Sequence, residues 1–216
     1  MTERYLGGRR WPNPALMLVT DRTQCAGRSL VEVVDQAIEG GVNLVQLREK
    51  DLPAGELLGL ARQLRGVCSH RALFFINDRV DVALLCGADG VQLSSTGLPV
   101  AAVRQFVPAS LLVGRSVHSV NEARQAELDG ADLVIAGTVF RTPSHPDAIP
   151  GGSELLRNMV SRLSIPVLAI GGINAENAGE CWSVGVSGVA VVSAILGAED
   201  PRAAAARLVP AAIEEG

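Results

Sequence analysis

Short apolar runs alternate with amphipathic segments along this chain of 216 residues. The run at residues 166–170 is unbroken, which is typical of a strand buried on both faces of a parallel sheet. We expect eight such strands, at residues 16–20, 43–48, 72–76, 90–93, 111–114, 132–136, 166–170 and 188–192. The pattern therefore predicts a chain organised around parallel strands.

Helix start signals lie between these strands. Ser29 and Ser119 each begin a Ser-x-x-Glu capping box, Pro53 opens another helix, and Asp200 precedes a proline at a first helical position. The repeated order of strand and helix predicts an α/β fold, a single-domain (β/α)8 TIM barrel. A doubly wound open sheet would need a glycine-rich turn after its first strand, and residues 20–22 contain no glycine.

The chain divides into residues 1–14, predicted from their prolines to form an extended lead-in, and residues 15–216, predicted to form the barrel. A composition that is 48% hydrophobic but only 3% aromatic is typical of one closely packed α/β domain. The net charge of −4 leaves no basic field to attract nucleic acid, so we exclude a nucleic-acid partner.

The four cysteines are scattered and show no metal-ligand spacing, which predicts free thiols in a reducing cytosol. No apolar run approaches the roughly 20 residues that a membrane-spanning helix requires. We therefore expect a cytoplasmic protein without a membrane partner.

A phosphate cradle is predicted within residues 165–195. One strand ends at Gly171-Gly172, where glycines allow bare backbone N–H groups to approach an anion, and Asn174 is a good helix N-cap. The next strand ends at Ser193. In a parallel barrel the loops after the seventh and eighth strands form the recurrent phosphate site. The alternative is that both ends are only tight strand-to-helix turns.

Polar side chains follow several other strands. Alternation along the second strand places Gln46, Arg48 and Lys50 on one side, where the cations suit a phosphate or a carboxylate. Asp78 ends the third strand with Asn77 and could bind Mg²⁺ through its oxygens. Two plainer interpretations stay open: Arg48 and Glu49 could be a solvated pair, and Asp78 could cap the next helix. His118, before a helix start, could likewise be a surface or capping residue.

Five motifs occur in a combination that resembles the superfamily of thiamine-phosphate synthase and thiazole tautomerase. They are VQLREKDL at residues 45–52, INDRVDVAL at 76–84, GRSVHS at 114–119, AIGGIN at 169–174 and VVSAI at 191–195. The resemblance implies a barrel, usually a homodimer, that binds a thiazole phosphate. It assigns the phosphate to Gly171, Gly172, Val192 and Ser193, and other substrate contacts to Gln46, Arg48, Lys50, Asn77, Ser116 and Thr142.

Two positions depart from the synthase pattern. Gly97 stands where the synthases place a second metal-binding aspartate, and His145 stands where their loop after the sixth strand has a lysine. These losses weaken the case for stabilising a pyrophosphate leaving group. The loop itself, residues 138–152, is rich in proline and is predicted to be an active-site loop that is disordered without ligand.

Three functions follow from the resemblance. We favour a thiazole tautomerase that needs no metal and uses His118 as its acid and base, because an imidazole can both give and take a proton near neutral pH. The alternative is a thiamine-phosphate synthase that couples hydroxymethylpyrimidine diphosphate to the thiazole phosphate with Mg²⁺, for which Asp78 is the expected ligand. The third is a regulator that binds the thiazole phosphate without turnover.

Overall fold

The computed structural model describes residues 4–142 and 149–210. A short hairpin, β1 and β2, precedes eight parallel strands that close into a barrel in the order β10-β3-β4-β5-β6-β7-β8-β9. The strands are β1 Tyr5–Leu6, β2 Arg9–Arg10, β3 Ala15–Val19, β4 Leu44–Leu47, β5 Leu73–Asn77, β6 Gly90–Leu93, β7 Leu112–Val117, β8 Leu133–Ala136, β9 Val167–Ile170 and β10 Gly188–Val191. The predicted (β/α)8 barrel is confirmed.

Helices surround the barrel and bury one face each against the strands. They are α1 Leu30–Glu39, α2 Ala54–Cys68, α3 Val80–Cys86, α4 Val100–Arg104, α5 Val120–Leu128, α6 Gly152–Val160, α7 Ala178–Ser183, α8 Ser193–Leu196 and α9 Pro201–Ala206. In α1 the apolar spacing places Val33, Val34 and Ala37 in the core. No helix within the described ranges combines the length and apolar character that crossing a membrane would require.

Two apolar layers hold the barrel together. The larger fills the space between strands and helices, and the smaller lies inside the barrel, where Phe75, Leu112 and Leu168 are fully buried together with Trp11. This inner layer makes the barrel interior a packed core rather than a pore. Towards the carboxyl ends of the strands the side chains become polar, and the candidate site lies there.

Residues 5–10 form a hairpin, which the extended lead-in predicted from the prolines of residues 1–14 did not include. Strands β1 and β2 pair in antiparallel fashion across Gly7 and Gly8, whose φ angles of +54° and +77° suit a two-residue hairpin turn. Arg9 pairs with Asp89 at 3.0 Å, and Trp11 is buried inside the barrel. The hairpin therefore packs on the amino end of the barrel, which a boundary at residue 14 did not anticipate.

Helix caps follow the sequence signals only in part. Asp200 accepts a hydrogen bond from the N–H of Ala203 at 2.9 Å, as its Asp-Pro sequence predicted. Ser119 accepts from the N–H of Glu122 at 3.2 Å, which forms half of the expected box. Ser29 occupies the N-cap of α1 but makes no side-chain cap bond, so its predicted capping box is wrong.

Asn174 is also not the N-cap of the helix after β9. Its side chain accepts from the N–H groups of Glu176 and Asn177 at 2.8 and 3.2 Å and closes a turn, and α7 begins only after Asn177. The side chain of Asn177 donates to the carbonyl of Gly172 at 2.9 Å. The turn therefore holds Gly172 of the predicted cradle through Asn177, and no helix begins at Asn174 to direct its N–H groups at an anion.

We expect Gly40→Ala to lower the free energy of unfolding by about 1–3 kcal/mol, the usual cost of overpacking. A Cβ at position 40 would lie 2.2 Å from the carbonyl oxygen of Arg202, where the end of α1 meets α9. Gly59→Ala is the matched control, because a Cβ there meets nothing within 4 Å. In the middle of α2 it should stabilise by about 0.5–1 kcal/mol. Urea denaturation of both variants measures the difference, and equal stabilities would contradict the close approach of α1 and α9.

Candidate active site

A cavity of about 860 Å³ opens at the carboxyl ends of the barrel strands. Its lining contains His118 and every residue that the sequence assigned to substrate or phosphate. Those residues are Gln46, Arg48, Lys50, Asn77, Ser116, Thr142, Gly171, Gly172, Val192 and Ser193. Asp78, the predicted metal ligand, is not part of the described lining. The structure therefore brings the predicted substrate and phosphate residues together at the mouth of the barrel, and it leaves Asp78 outside the cavity lining.

One wall of the cavity is cationic. Alternation along β4 and the residues after it places Gln46, Arg48 and Lys50 on the cavity side, as predicted. The guanidinium of Arg48 makes no hydrogen bond or ion pair with any described residue, so its donors are available to a ligand. An anionic group entering the cavity would meet both cations from this wall.

Glu49 points the opposite way and fixes the backbone beside Arg48. Its buried carboxylate accepts from the Thr20 hydroxyl at 2.7 Å and pairs with Arg22 at 2.9 Å. The same hydroxyl oxygen of Thr20 accepts from the N–H of Arg48 at 2.9 Å. The interpretation of Arg48 and Glu49 as a solvated pair is therefore wrong, because Glu49 is buried and its cationic partner is Arg22.

Amides and a hydroxyl form the floor. Gln46 donates to the side-chain oxygen of Asn77 at 2.9 Å, which orients both amides. Buried Gln92 donates to the hydroxyl oxygen of Ser116 at 3.1 Å. Because Ser116 accepts this bond, its own hydrogen is left to point at a ligand in the cavity.

The opposite wall is the predicted cradle. Gly171 and Gly172 have φ angles of +105° and +66°, and a Cβ on either would collide with the loop after β8. At Gly171 it would lie 2.7 Å from the methyl carbon of Thr138, and at Gly172 it would lie 2.4 Å from the carbonyl oxygen of Arg141. The glycines are therefore required for two loops to pack together, in addition to any approach by an anion.

Helix α8 completes this wall, since it begins at Ser193 next to the end of β10. The first N–H groups of a helix have no partner within it, and they favour an anion at that end. Val192 and Ser193 line the cavity at this point.

His118 follows β7 with its imidazole at the mouth of the cavity. Its Nδ1 lies 2.6 Å from the carbonyl oxygen of Gly137. A carbonyl oxygen can only accept, so in the neutral ring Nδ1 carries the hydrogen and Nε2 keeps its lone pair. The backbone N–H of His118 donates to the Glu122 carboxylate at 2.7 Å. In the neutral ring the lone pair of Nε2 is thus left for a ligand in the cavity.

Sequence reasoning missed several lining residues. Asp21 and Gln24 come from the loop after β3, and Arg141 comes from the loop after β8. Hydrogen bonds from the Thr23 hydroxyl and, to a lesser extent, from Gln24 hold the pKa of Asp21 below its ordinary value of 3.8. Asp21 follows closely on the end of β3, so the strand-end rule would have found it if it had been applied to the first strand, whereas Gln24 and Arg141 lie deeper in their loops and give no such signal.

The loop after β8 is described only in part. Thr138, Arg141 and Thr142 line the cavity. Residues 143–148, which include His145, lie outside the described residues. The predicted role of His145 and the predicted ligand-dependent disorder of residues 138–152 therefore stay predictions.

The donors around Asp78 do not fit a Mg²⁺ ion held by the protein. Its two carboxylate oxygens accept from the N–H of Ser94 at 2.7 Å and from the side chain of Asn77 at 3.0 Å. Within the described part of the chain, no three His, Cys, Asp or Glu side chains are grouped so that they could hold a metal ion. Mg²⁺ prefers an octahedral shell with one or two carboxylates facing it, and the carboxylate of Asp78 lies outside the described lining of the cavity.

Comparison with known proteins gives a consistent result. The family model for thiamine monophosphate synthase matches residues 16–195. The thiamine-phosphate synthase of Pyrococcus furiosus is 45% identical over 194 residues, covering 89% of this chain and 92% of the relative. The putative thiamine-phosphate synthase of Geobacter sulfurreducens is 45% identical over 190 residues, covering 87% and 89%.

Solved structures agree with the sequences. The thiamine phosphate pyrophosphorylase of Pyrococcus furiosus superposes with a TM-score of 0.84 at 44% identity, over 90% of this chain and 93% of that one. A 3-hexulose-6-phosphate synthase superposes with a TM-score of 0.69 at 20% identity, over 90% and 97%. The second likeness concerns the barrel fold alone.

Proposed function

We propose that this chain, which belongs to the thiamine monophosphate synthase family, is a thiamine-phosphate synthase. The observation that carries the proposal is the 45% identity to a synthase over nearly the full length of both chains. The comparisons support the synthase alternative and do not support the preference for a thiazole tautomerase, which we therefore correct. That preference gave too much weight to two departures, Gly97 and His145.

The reaction of such an enzyme joins two small phosphorylated molecules. The ring nitrogen of the thiazole phosphate attacks the exocyclic methylene carbon of hydroxymethylpyrimidine diphosphate. The carbon–nitrogen bond forms, the carbon–oxygen bond breaks, and pyrophosphate leaves with the electron pair. The thiazole becomes a thiazolium cation, so the enzyme must hold one phosphate and stabilise the charge that develops on another.

The two walls of the cavity support this division of labour. We assign the phosphate of the thiazole to the cradle of Gly171, Gly172, Val192 and Ser193, where main-chain N–H groups can donate to it. The thiazole ring would then lie over the floor of the barrel, directed towards the cationic wall.

We assign the diphosphate to Arg48 and Lys50, with Arg141 reaching it from the loop after β8. Fixed cations facing the departing oxygens stabilise the transition state more than the ground state, because charge accumulates there as the bond breaks. Ser116 and Asn77 would orient the pyrimidine diphosphate from the floor, and Thr142 would contact it from the rim. Both carboxylate oxygens of Asp78 already accept hydrogen bonds from Ser94 and Asn77, so we assign no step to a metal ion held by Asp78.

His118 has a smaller part in this reaction than it would have in a tautomerase. In the neutral tautomer with its hydrogen on Nδ1, Nε2 can accept a hydrogen bond from the amino group of the pyrimidine, which would help to orient that ring. The homodimer that the resemblance implies, and the cytoplasmic location inferred from the cysteines, stay predictions.

The decisive experiment runs the candidate reactions side by side. We expect the protein to form thiamine phosphate and pyrophosphate from hydroxymethylpyrimidine diphosphate and thiazole phosphate. Each reaction is run in parallel samples with and without added Mg²⁺, so that the effect of the metal on product formation is measured as well. Conversion of a carboxythiazole phosphate to its aromatic tautomer, with no thiamine phosphate formed, would replace the proposal by the tautomerase. Saturable binding of thiazole phosphate without either product would favour the regulator instead.

A further inference from the structure

The loop between β6 and α4, residues 94–99, is drawn tightly onto the mouth of the barrel by Asp78. One carboxylate oxygen of Asp78 accepts the N–H of Ser94 at 2.7 Å. Asp78 itself has a φ of +56°, a left-handed conformation that costs a non-glycine residue about 1–2 kcal/mol. That conformation turns its side chain sideways along the rim, towards the end of β6 and away from the cavity.

Gly97 allows this close approach. Its N–H donates to the carbonyl of Ser94 at 2.9 Å and closes a tight turn. A Cβ at position 97 would lie 2.5 Å from a carboxylate oxygen of Asp78, well inside contact distance. Any side chain at this position would push the turn and Asp78 apart. The glycine and the bond between Asp78 and Ser94 therefore belong to one arrangement.

Arg115 holds the same loop from the neighbouring strand. Its two terminal nitrogens donate to the carbonyl oxygens of Ser95 and Leu98, each at 2.9 Å. The turn is thus fixed at both ends by charged side chains that themselves stay out of the cavity lining. What it presents to the cavity is Ser94, Ser95 and Thr96.

The charges facing the cavity agree with this arrangement. Among the described lining residues, the cations are Arg48, Lys50 and Arg141, and the one carboxylate is Asp21. Asp21 is already hydrogen-bonded to its own turn through Thr23. An excess of fixed positive charge suits a bare diphosphate, whereas a diphosphate that carries a metal bound to the protein needs carboxylates on the wall.

We propose that Asp78 is a positioning residue that holds the turn of Ser94 to Thr96 as an uncharged, hydroxyl-bearing wall for a diphosphate, and that it does not ligate a divalent metal. The proposal rests on the proposed function only for the nature of the ligand. It is tested by binding, without turnover, so that its failure and the failure of the synthase assignment can be told apart.

The first experiment compares Asp78→Asn with Asp78→Ala in metal-free titrations of inorganic pyrophosphate by calorimetry. Asparagine keeps an oxygen that can accept from the N–H of Ser94, so we expect its affinity to stay within about threefold of the wild-type value. Alanine leaves that N–H without a partner and frees the turn, so the affinity should fall by about tenfold. Equal losses in both variants, or no metal-free binding by the wild-type protein, would overturn the proposal.

The second experiment measures metal binding directly. Mn²⁺ is titrated into the ligand-free protein and followed by its electron paramagnetic resonance signal. We expect the wild-type protein and Asp78→Asn to bind Mn²⁺ equally weakly, in the millimolar range of about 1 mM or above. A micromolar site in the wild-type protein that Asp78→Asn abolishes would make Asp78 a metal ligand and overturn the proposal.

Gly97→Ala serves where Asp78→Ala does not fold, because it attacks the same contact from the other side. It should weaken metal-free pyrophosphate binding by about tenfold while every charge in the cavity is kept. Gly55→Ala is its control, since a Cβ there meets nothing within 4 Å. Unchanged binding in Gly97→Ala would show that the position of the turn does not matter and would sink the idea.

Discussion

Gly172→Ala is expected to lower kcat/KM for thiamine phosphate formation by about 10²-fold. With a φ of +66° and a carbonyl oxygen of Arg141 only 2.4 Å from the new Cβ, the backbone must move at the centre of the cradle. The same movement displaces the loop after β8. This loop places Arg141 and Thr142 at the other end of the cavity. A misplacement of about 1 Å in both substrate sites is enough for a loss of this size.

Gly185→Ala separates this effect from simple backbone strain. Gly185 also has a positive φ, +83°, but a Cβ there would meet only a methyl carbon of Val160, at 3.7 Å. We expect it to lose about 1–2 kcal/mol of stability and to keep its activity, whereas Gly172→Ala loses about 2–5 kcal/mol and its activity. Steady-state kinetics at a temperature where both variants stay folded decides between them. Full activity in Gly172→Ala would remove the cradle from the mechanism.

The barrel could be predicted because burial on both faces leaves its mark directly on the sequence. The strand predicted at residues 90–93 coincides with β6, and most of the other strand bounds differ by one or two residues. Helix ends were harder, since they depend on contacts that the local sequence does not contain. Ser29 has the capping-box pattern and makes no cap bond, while Asn174 caps a turn instead of a helix.

The site could be predicted as far as strand alternation reaches. Alternation placed Gln46, Arg48 and Lys50 on the cavity side correctly, because the side-chain period of a strand continues briefly past its end. Asp78 was assigned from its place at the end of the third strand, and there the prediction does not hold: Asn77 lines the cavity, whereas Asp78, with a left-handed φ of +56°, does not. The partner of Glu49 was equally beyond reach, since Arg22 lies 27 positions earlier in the chain.

The preference for a tautomerase rested in part on two departures from the synthase pattern, Gly97 and His145, and the contacts around Gly97 could not be seen in the sequence. The missing carboxylate at position 97 predicts a lost metal ligand, and the structure shows that Gly97 belongs to a closed turn held by Asp78 and Arg115. The cationic wall that a synthase would use, formed by Arg48, Lys50 and Arg141, lines the cavity of this chain although position 97 is a glycine.

Arg48→Ala should produce the largest loss of activity among single side-chain truncations at this site, about 10²–10³-fold in kcat. The guanidinium belongs to a residue that lines the cavity, it has no hydrogen bond or ion pair with a described side chain, and the backbone N–H of Arg48 donates to Thr20 at 2.9 Å. Since no described side chain is hydrogen-bonded to the guanidinium and its electrostatic effect on Asp21 is the smallest of those acting on that carboxyl, its removal should leave the free energy of unfolding nearly unchanged. Arg48→Lys keeps the charge but loses the two-pronged geometry, so we expect it to fall between the wild-type protein and alanine.

Arg62→Ala is the matched control for this truncation, because Arg62 is an exposed arginine on α2, outside the described lining of the cavity. It should leave kcat and KM unchanged. Inhibition by inorganic pyrophosphate gives a second measurement. Arg48→Ala should weaken this inhibition and lower kcat together, because the same guanidinium contacts pyrophosphate while it leaves and after it has become the product. A lower kcat with unchanged pyrophosphate inhibition would move Arg48 from the leaving group to the pyrimidine. Activity within about threefold of wild type, far from the loss expected of a charge-stabilising donor, would leave Lys50 and Arg141 to stabilise the pyrophosphate alone.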